Sequence, residues 1–99
     1  ERFRSGAKDG GNAWVSLANI AAVRERSGDV PGAVEDLSTA AGIASAPSDQ
    51  SRLHLRLAKL LVRSRSYERA KSVLGYALEL DGTNHRARAL LMELEAESR

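Results

Sequence analysis

Two stretches of this chain carry the same spacing of apolar residues. Val30, Ala33, Leu37, Ala40, Ala41 and Ile43 are answered, at one constant offset, by Tyr67, Ala70, Leu74, Ala77, Leu78 and Leu80. The residues before each stretch follow suit: Leu17, Ile20 and Ala21 correspond to His54, Leu57 and Ala58. Apolar positions three and four apart form one face of a helix. Self-similarity at a period in the thirties marks an array of stacked helical units, none of which can bury its apolar face alone. The spacing therefore predicts an all-α fold of antiparallel helix-turn-helix repeats, a short solenoid of about five helices.

The helices can be placed by their breakers and caps. Helix 1 is expected from about 12 to 27, with Asn12 as its cap and Trp14, Leu17, Ile20, Ala21 and Val23 as its apolar face. Gly28-Asp29 ends it. Helix 2 starts near Pro31, a residue favoured in a first helical turn. The stretch SAPSDQS at 45–51 reads as a loop, with Ser48 or Asp49 capping helix 3. Helix 3 carries Leu53, Leu57, Ala58, Leu60 and Leu61 and ends near Ser64. Helix 4 begins at Tyr67 and stops at Asp81-Gly82. Helix 5 follows Thr83 and carries Ala87, Leu90, Leu91 and Leu94. Residues 1–11, polar and Gly-rich, read as a flexible lead to a domain spanning 12–97. With no initiator Met, the chain is expected to be part of something longer.

Composition supports helices over a sheet sandwich. Hydrophobic residues make up 42% of the 99, but aromatic residues only 4%, so the core must be mostly Leu, Val, Ile and Ala. There is no cysteine, which excludes disulfides, thiolate metal sites and cysteine nucleophiles and fits a reducing, cytoplasmic setting. No stretch approaches the length of a membrane span.

The alanines at fixed points of the repeat raise a further resemblance. The pattern resembles the tetratricopeptide repeat, a helix-turn-helix unit of about 34 residues with small residues at its eighth, twentieth and twenty-seventh positions. Residues 51–84 fit that frame, with Ala58, Ala70 and Ala77 at the small positions and Leu57, Leu61, Tyr67, Leu74 and Leu78 at the larger ones. Residues 14–50 fit with three extra residues in the join, placing Ala21, Ala33 and Ala40 likewise, and residues 84–97 form a capping helix. The family's closing proline is replaced by Ser45 and Gly82. Arg24 stands where an aromatic residue or leucine is usual, and Trp14 lies a turn earlier than the family's tryptophan. Glu95 answers Leu61, as a polar-faced terminal helix requires. The resemblance implies a non-catalytic protein-interaction scaffold with alanines where paired helices approach closely.

Charge patterning suggests what such a scaffold binds. The net charge of +2 conceals seven basic residues between Arg52 and Lys71 against the single acid Glu68, and an acidic end with Glu93, Glu95 and Glu97. Arg52, Arg56, Lys59 and Arg63 recur every three or four residues, forming one stripe along helix 3. The resemblance implies that first helices line a concave groove, so the stripe faces a bound acidic peptide, helical segment or C-terminal tail. Co-chaperone members of the family grip terminal carboxylates with a clamp. Asn19 matches its second-repeat asparagine, and Arg52 and Arg56 its third-repeat pair. Its first-repeat pair has no counterpart here. Nucleic acid is disfavoured, because helix 3 has no aromatic residue to stack a base. His54 and His85 are the only histidines, and neither is followed at three or four residues by a metal-ligating side chain. No enzyme chemistry, cofactor or metal is expected. Two units are fewer than the roughly three usually needed for stability, so the alternative is an oligomerisation or assembly module.

Overall fold

The computed structural model describes the backbone of residues 6–97 and the side chains of residues 13–97. The described residues form five α-helices: α1 Gly6–Arg26, α2 Val30–Ile43, α3 Pro47–Arg63, α4 Tyr67–Leu80 and α5 His85–Glu97. Short turns join them, and each packs on the next, so the chain zigzags as antiparallel neighbours.

The turn between α1 and α2 recurs between α3 and α4. Gly28, at φ 93°, donates to Glu25 O at 3.1 Å, and Asp29 donates to Arg24 O at 2.8 Å. Arg65, at φ 63°, donates to Val62 O at 3.0 Å, and Ser66 donates to Leu61 O at 2.8 Å. These paired bonds satisfy carbonyls that a helix end leaves orphaned, and they require a left-handed residue just past the helix. Glycine fills that place in the first turn and arginine in the second, at corresponding positions. Beyond it, the Asp29 carboxylate accepts from Gly32 N at 3.0 Å and caps α2.

The start of α5 is built differently. Asn84 Oδ1 accepts from Ala87 N at 3.1 Å, while Asn84 Nδ2 donates to Ser51 Oγ at 2.8 Å. The fully buried Ser51 hydroxyl donates in turn to Ala77 O at 2.8 Å. One serine thus ties the beginnings of α3 and α5 to the end of α4.

The core runs along all five helices. The six alanines at the proposed small positions, Ala21, Ala33, Ala40, Ala58, Ala70 and Ala77, are all buried. They alternate with Leu37, Leu53, Leu60, Leu61 and Leu74, which are fully enclosed. A methyl at each crossing lets backbones approach, and the leucines between fill the space, as dense packing requires.

Several expectations need correction. Helix α1 begins at Gly6, so residues 6–11 are helical and Asn12 lies within the helix rather than capping it; extending a helix already formed avoids the cost of nucleation. The expected lead over residues 1–5 lies outside the described residues. Ile20 and Val23 are not core residues: they are 45% and 59% exposed, whereas their counterparts Leu57 and Leu60 are 5% and 2% exposed. Helix α3 has α2 before it, but no described helix precedes α1, so the same face stays open. Ile43 and Tyr67 are likewise exposed. Helix α3 starts at Pro47 with Ala46 as its cap residue, not Ser48 or Asp49, because Pro47 pre-sets the first turn.

Candidate peptide-binding groove

The basic stripe on α3 is a surface feature with its own internal partners. Arg52, Arg56, Lys59 and Arg63 are all exposed, while Leu53, Leu57, Leu60 and Leu61 of the same helix are buried. Sequence spacing alone separates these two faces. Helix α1 runs beside the stripe in the same direction as α3. Arg56 Nη2 approaches the Ala18 carbonyl at 3.5 Å, and Arg63 forms an ion pair with Glu25. Arg52 pairs with Asp49 at 2.7 Å within its own helix. Among the described residues Lys59 makes no ion pair. Asn19, on α1, is exposed.

A pocket of about 230 Å³ opens between α1 and α3, lined by Trp14, Asp49, Arg52, Leu53 and Arg56. It pairs an indole and a leucine with two guanidinium groups. Such a lining accommodates an aliphatic or aromatic side chain beside a carboxylate. Trp14 was legible in the sequence only as a core residue of helix 1. Its half-buried position follows from the same open edge that exposes Ile20 and Val23.

A second pocket, of about 470 Å³, lies between the starts of α3 and α5 and is lined by Ser48, Arg52, Asp81, Thr83, Asn84, His85 and Arg86. Arg52 borders both pockets. Arg86, missed by the sequence reading, is exposed and occupies the α5 position that answers Arg52 in the repeat; the repeat offset itself is the signal that could have found it. Asp81 Oδ1 accepts from Thr83 Oγ1 at 2.6 Å and Thr83 N at 3.0 Å. These bonds hold the Asp81 carboxyl below the usual carboxylate range, and the nearby His85 charge acts in the same direction.

The histidines stand apart from each other. His54 Nδ1 lies 2.7 Å from Gln50 O, and its ring meets Tyr76 edge-on with centroids 5.0 Å apart. His85 is an exposed residue at the start of α5. Among the described residues no group of three or more His, Cys, Asp or Glu side chains could hold a metal ion. No helix among them is long and apolar enough to cross a membrane. Comparison with family models, curated proteins and solved structures yields no match to this chain.

Proposed function

We propose that the chain is a non-catalytic protein-interaction scaffold of the tetratricopeptide type, whose groove over α1 and α3 binds an acidic segment of a protein partner. The observation that carries this reading is the row Arg52, Arg56, Lys59 and Arg63, exposed along one helix face beside Asn19 and the Trp14 pocket. Acidic residues of the partner exchange for Asp49 and Glu25, which now occupy Arg52 and Arg63. Lys59 meets a carboxylate without such an exchange, and Asn19 supplies a polar contact to the peptide backbone. Exposed ion pairs contribute about 0–1 kcal/mol each, so the charges set orientation and encounter rate while the Trp14 pocket supplies apolar area. No cofactor takes part, and the expected setting is the cytoplasm, as for co-chaperone proteins of this type.

Trp14 is the only tryptophan, so its emission reports occupancy of the pocket directly. Titration with an acidic peptide shifts that emission saturably at low salt, and Arg56→Glu combined with Lys59→Glu abolishes the shift without lowering the melting temperature. An emission unchanged by any acidic peptide, or equal binding by the double variant, refutes the reading.

One observation favours a second reading, an assembly module. Ile20 and Val23 are open on α1 where Leu57 and Leu60 are covered on α3, which suits stacking of a further helical unit on that edge. Ile20→Lys together with Val23→Lys leaves peptide binding intact and removes any association through this edge.

A further inference from the structure

Helix α5 packs on α4 through Ala87, Leu94 and the half-buried Leu90 and Leu91, and its opposite side is open. That side is not a generic solvated face. His85, Ala89, Met92 and Ala96, all exposed, are spaced four, three and four apart and so form a single column along the helix. Met92 is 62% exposed. Charged residues flank the column on both sides. Arg86 and Glu93 lie along one flank, and Arg88 and Glu95 along the other. Each flank is therefore basic toward the helix start and acidic toward its end.

We infer that this face of α5 is a self-complementary surface whose partner is a second copy of the chain, docked antiparallel across a two-fold axis. The axis passes between Ala89 and Met92. It sets Ala89 against the partner's Met92, and His85 against the partner's Ala96. A two-fold pair of antiparallel helices brings each flank against the same flank of its mate. Arg86 then faces the partner's Glu93, and Arg88 faces the partner's Glu95, with the symmetric contacts repeated. Both flanks are satisfied by the one alignment that also matches the column.

A parallel pair is less complementary. It sets Arg88 near the partner's Glu93 but leaves Arg86 and Glu95 without an opposite charge in the helix. The alanines permit close approach of the two backbones, toward the short end of the 8–10 Å range. In the single chain Arg88 also donates to Gly82 O at 3.0 Å, and a guanidinium has donors enough for both contacts. The pairs are exposed, so the association is salt-sensitive and of modest strength. The inference is independent of the groove reading, which concerns α1 and α3.

Sedimentation equilibrium from micromolar to millimolar chain concentration at low salt tests it. The wild-type mass rises from 10.7 kDa toward twice that value, and the rise is suppressed at high salt. Arg86→Glu with Arg88→Glu makes the flanks uniformly acidic. Glu93→Arg with Glu95→Arg makes them uniformly basic, and touches no contact found within the single chain. Each double variant removes all four exposed pairs of the symmetric dimer and weakens self-association about tenfold or more, while an equimolar mixture of the two associates one-to-one at least as tightly as the wild type. Met92→Lys weakens association with the flanks intact, and Arg56→Glu with Lys59→Glu leaves it unchanged. A wild type that stays at 10.7 kDa throughout overturns the inference. So does self-association unaffected by both charge variants, or a mixture of folded variants that fails to associate.

Discussion

The two left-handed turn residues, Gly28 and Arg65, permit a direct test of the repeat at the level of backbone conformation. They terminate α1 and α3 with the same pair of hydrogen bonds, but only one of them is glycine. An L-residue in the left-handed region costs about 1–2 kcal/mol relative to its favoured conformations. Replacing Arg65 with glycine removes that cost and adds back about 0.4–1 kcal/mol through the greater freedom of glycine in the unfolded chain. Taking the middle of each range, Arg65→Gly is therefore expected to stabilise the protein by about 0.8 kcal/mol, or about 3–6 °C in melting temperature for a chain of this size. The converse change is clean, because a Cβ added at Gly28 meets nothing within 4 Å. Gly28→Ala thus reports the left-handed strain less the same unfolded-chain contribution, free of any steric clash, and is expected to cost about 0.8 kcal/mol. Urea unfolding followed by far-ultraviolet circular dichroism measures both, with Arg65→Ala as the control that removes the side chain and keeps the strain. The reasoning fails if Arg65→Gly is no more stable than Arg65→Ala, or if Gly28→Ala is as stable as the wild type.

Other substitutions probe the joints and the core. Ser51→Ala leaves Asn84 Nδ2 without its acceptor and Ala77 O without the hydroxyl, and is expected to cost about 1–3 kcal/mol in urea unfolding. Leu74→Ala, at a fully buried position on α4, is expected to cost about 2–5 kcal/mol by the same assay. Ala70→Leu adds methylenes where a buried alanine now sits and is expected to cost about 1–3 kcal/mol, while a change to serine at the exposed Ala89 is expected to be near neutral. The Asp81 carboxyl titrates lower in the folded chain than its ordinary value of 3.8. Its contribution to stability is thus present above that value and is lost as pH falls through the lower, folded value. Acid unfolding of Thr83→Val, which removes the hydroxyl donor, should show a shallower dependence on pH in that range; an unchanged slope would reject the role assigned to Thr83.

The repeat spacing made the interior of the fold legible, and its edges were where reading failed. Leu37, Leu53, Leu57, Leu60, Leu61 and Leu74 were placed correctly, because each has a helix on either side and apolar periodicity reports that enclosure. Ile20 and Val23 show the same periodicity and are exposed, because periodicity records which face a residue occupies, not whether anything covers that face. The stripe from Arg52 to Arg63 was legible for the complementary reason: charge is tolerated only where water reaches. Its partners on α1, Glu25 and the Ala18 carbonyl, were not legible, since they depend on how α1 lies beside α3 and the contacts span 38 residues for Arg56 and Arg63; the Asp49–Arg52 pair, three residues apart on one helix, is the local exception. Arg65 shows the opposite case. Nothing in its local sequence marks a left-handed residue, and arginine argues against one. The repeat offset alone identifies it, by placing it opposite Gly28. The same logic exposes Arg86 as the counterpart of Arg52. In a chain of repeating units, comparison of equivalent positions therefore carries more than local propensity: where counterparts differ in type but agree in backbone, as at Gly28 and Arg65, the difference is strain, and where they agree in type but differ in burial, as at Val23 and Leu60, the difference is an uncovered surface.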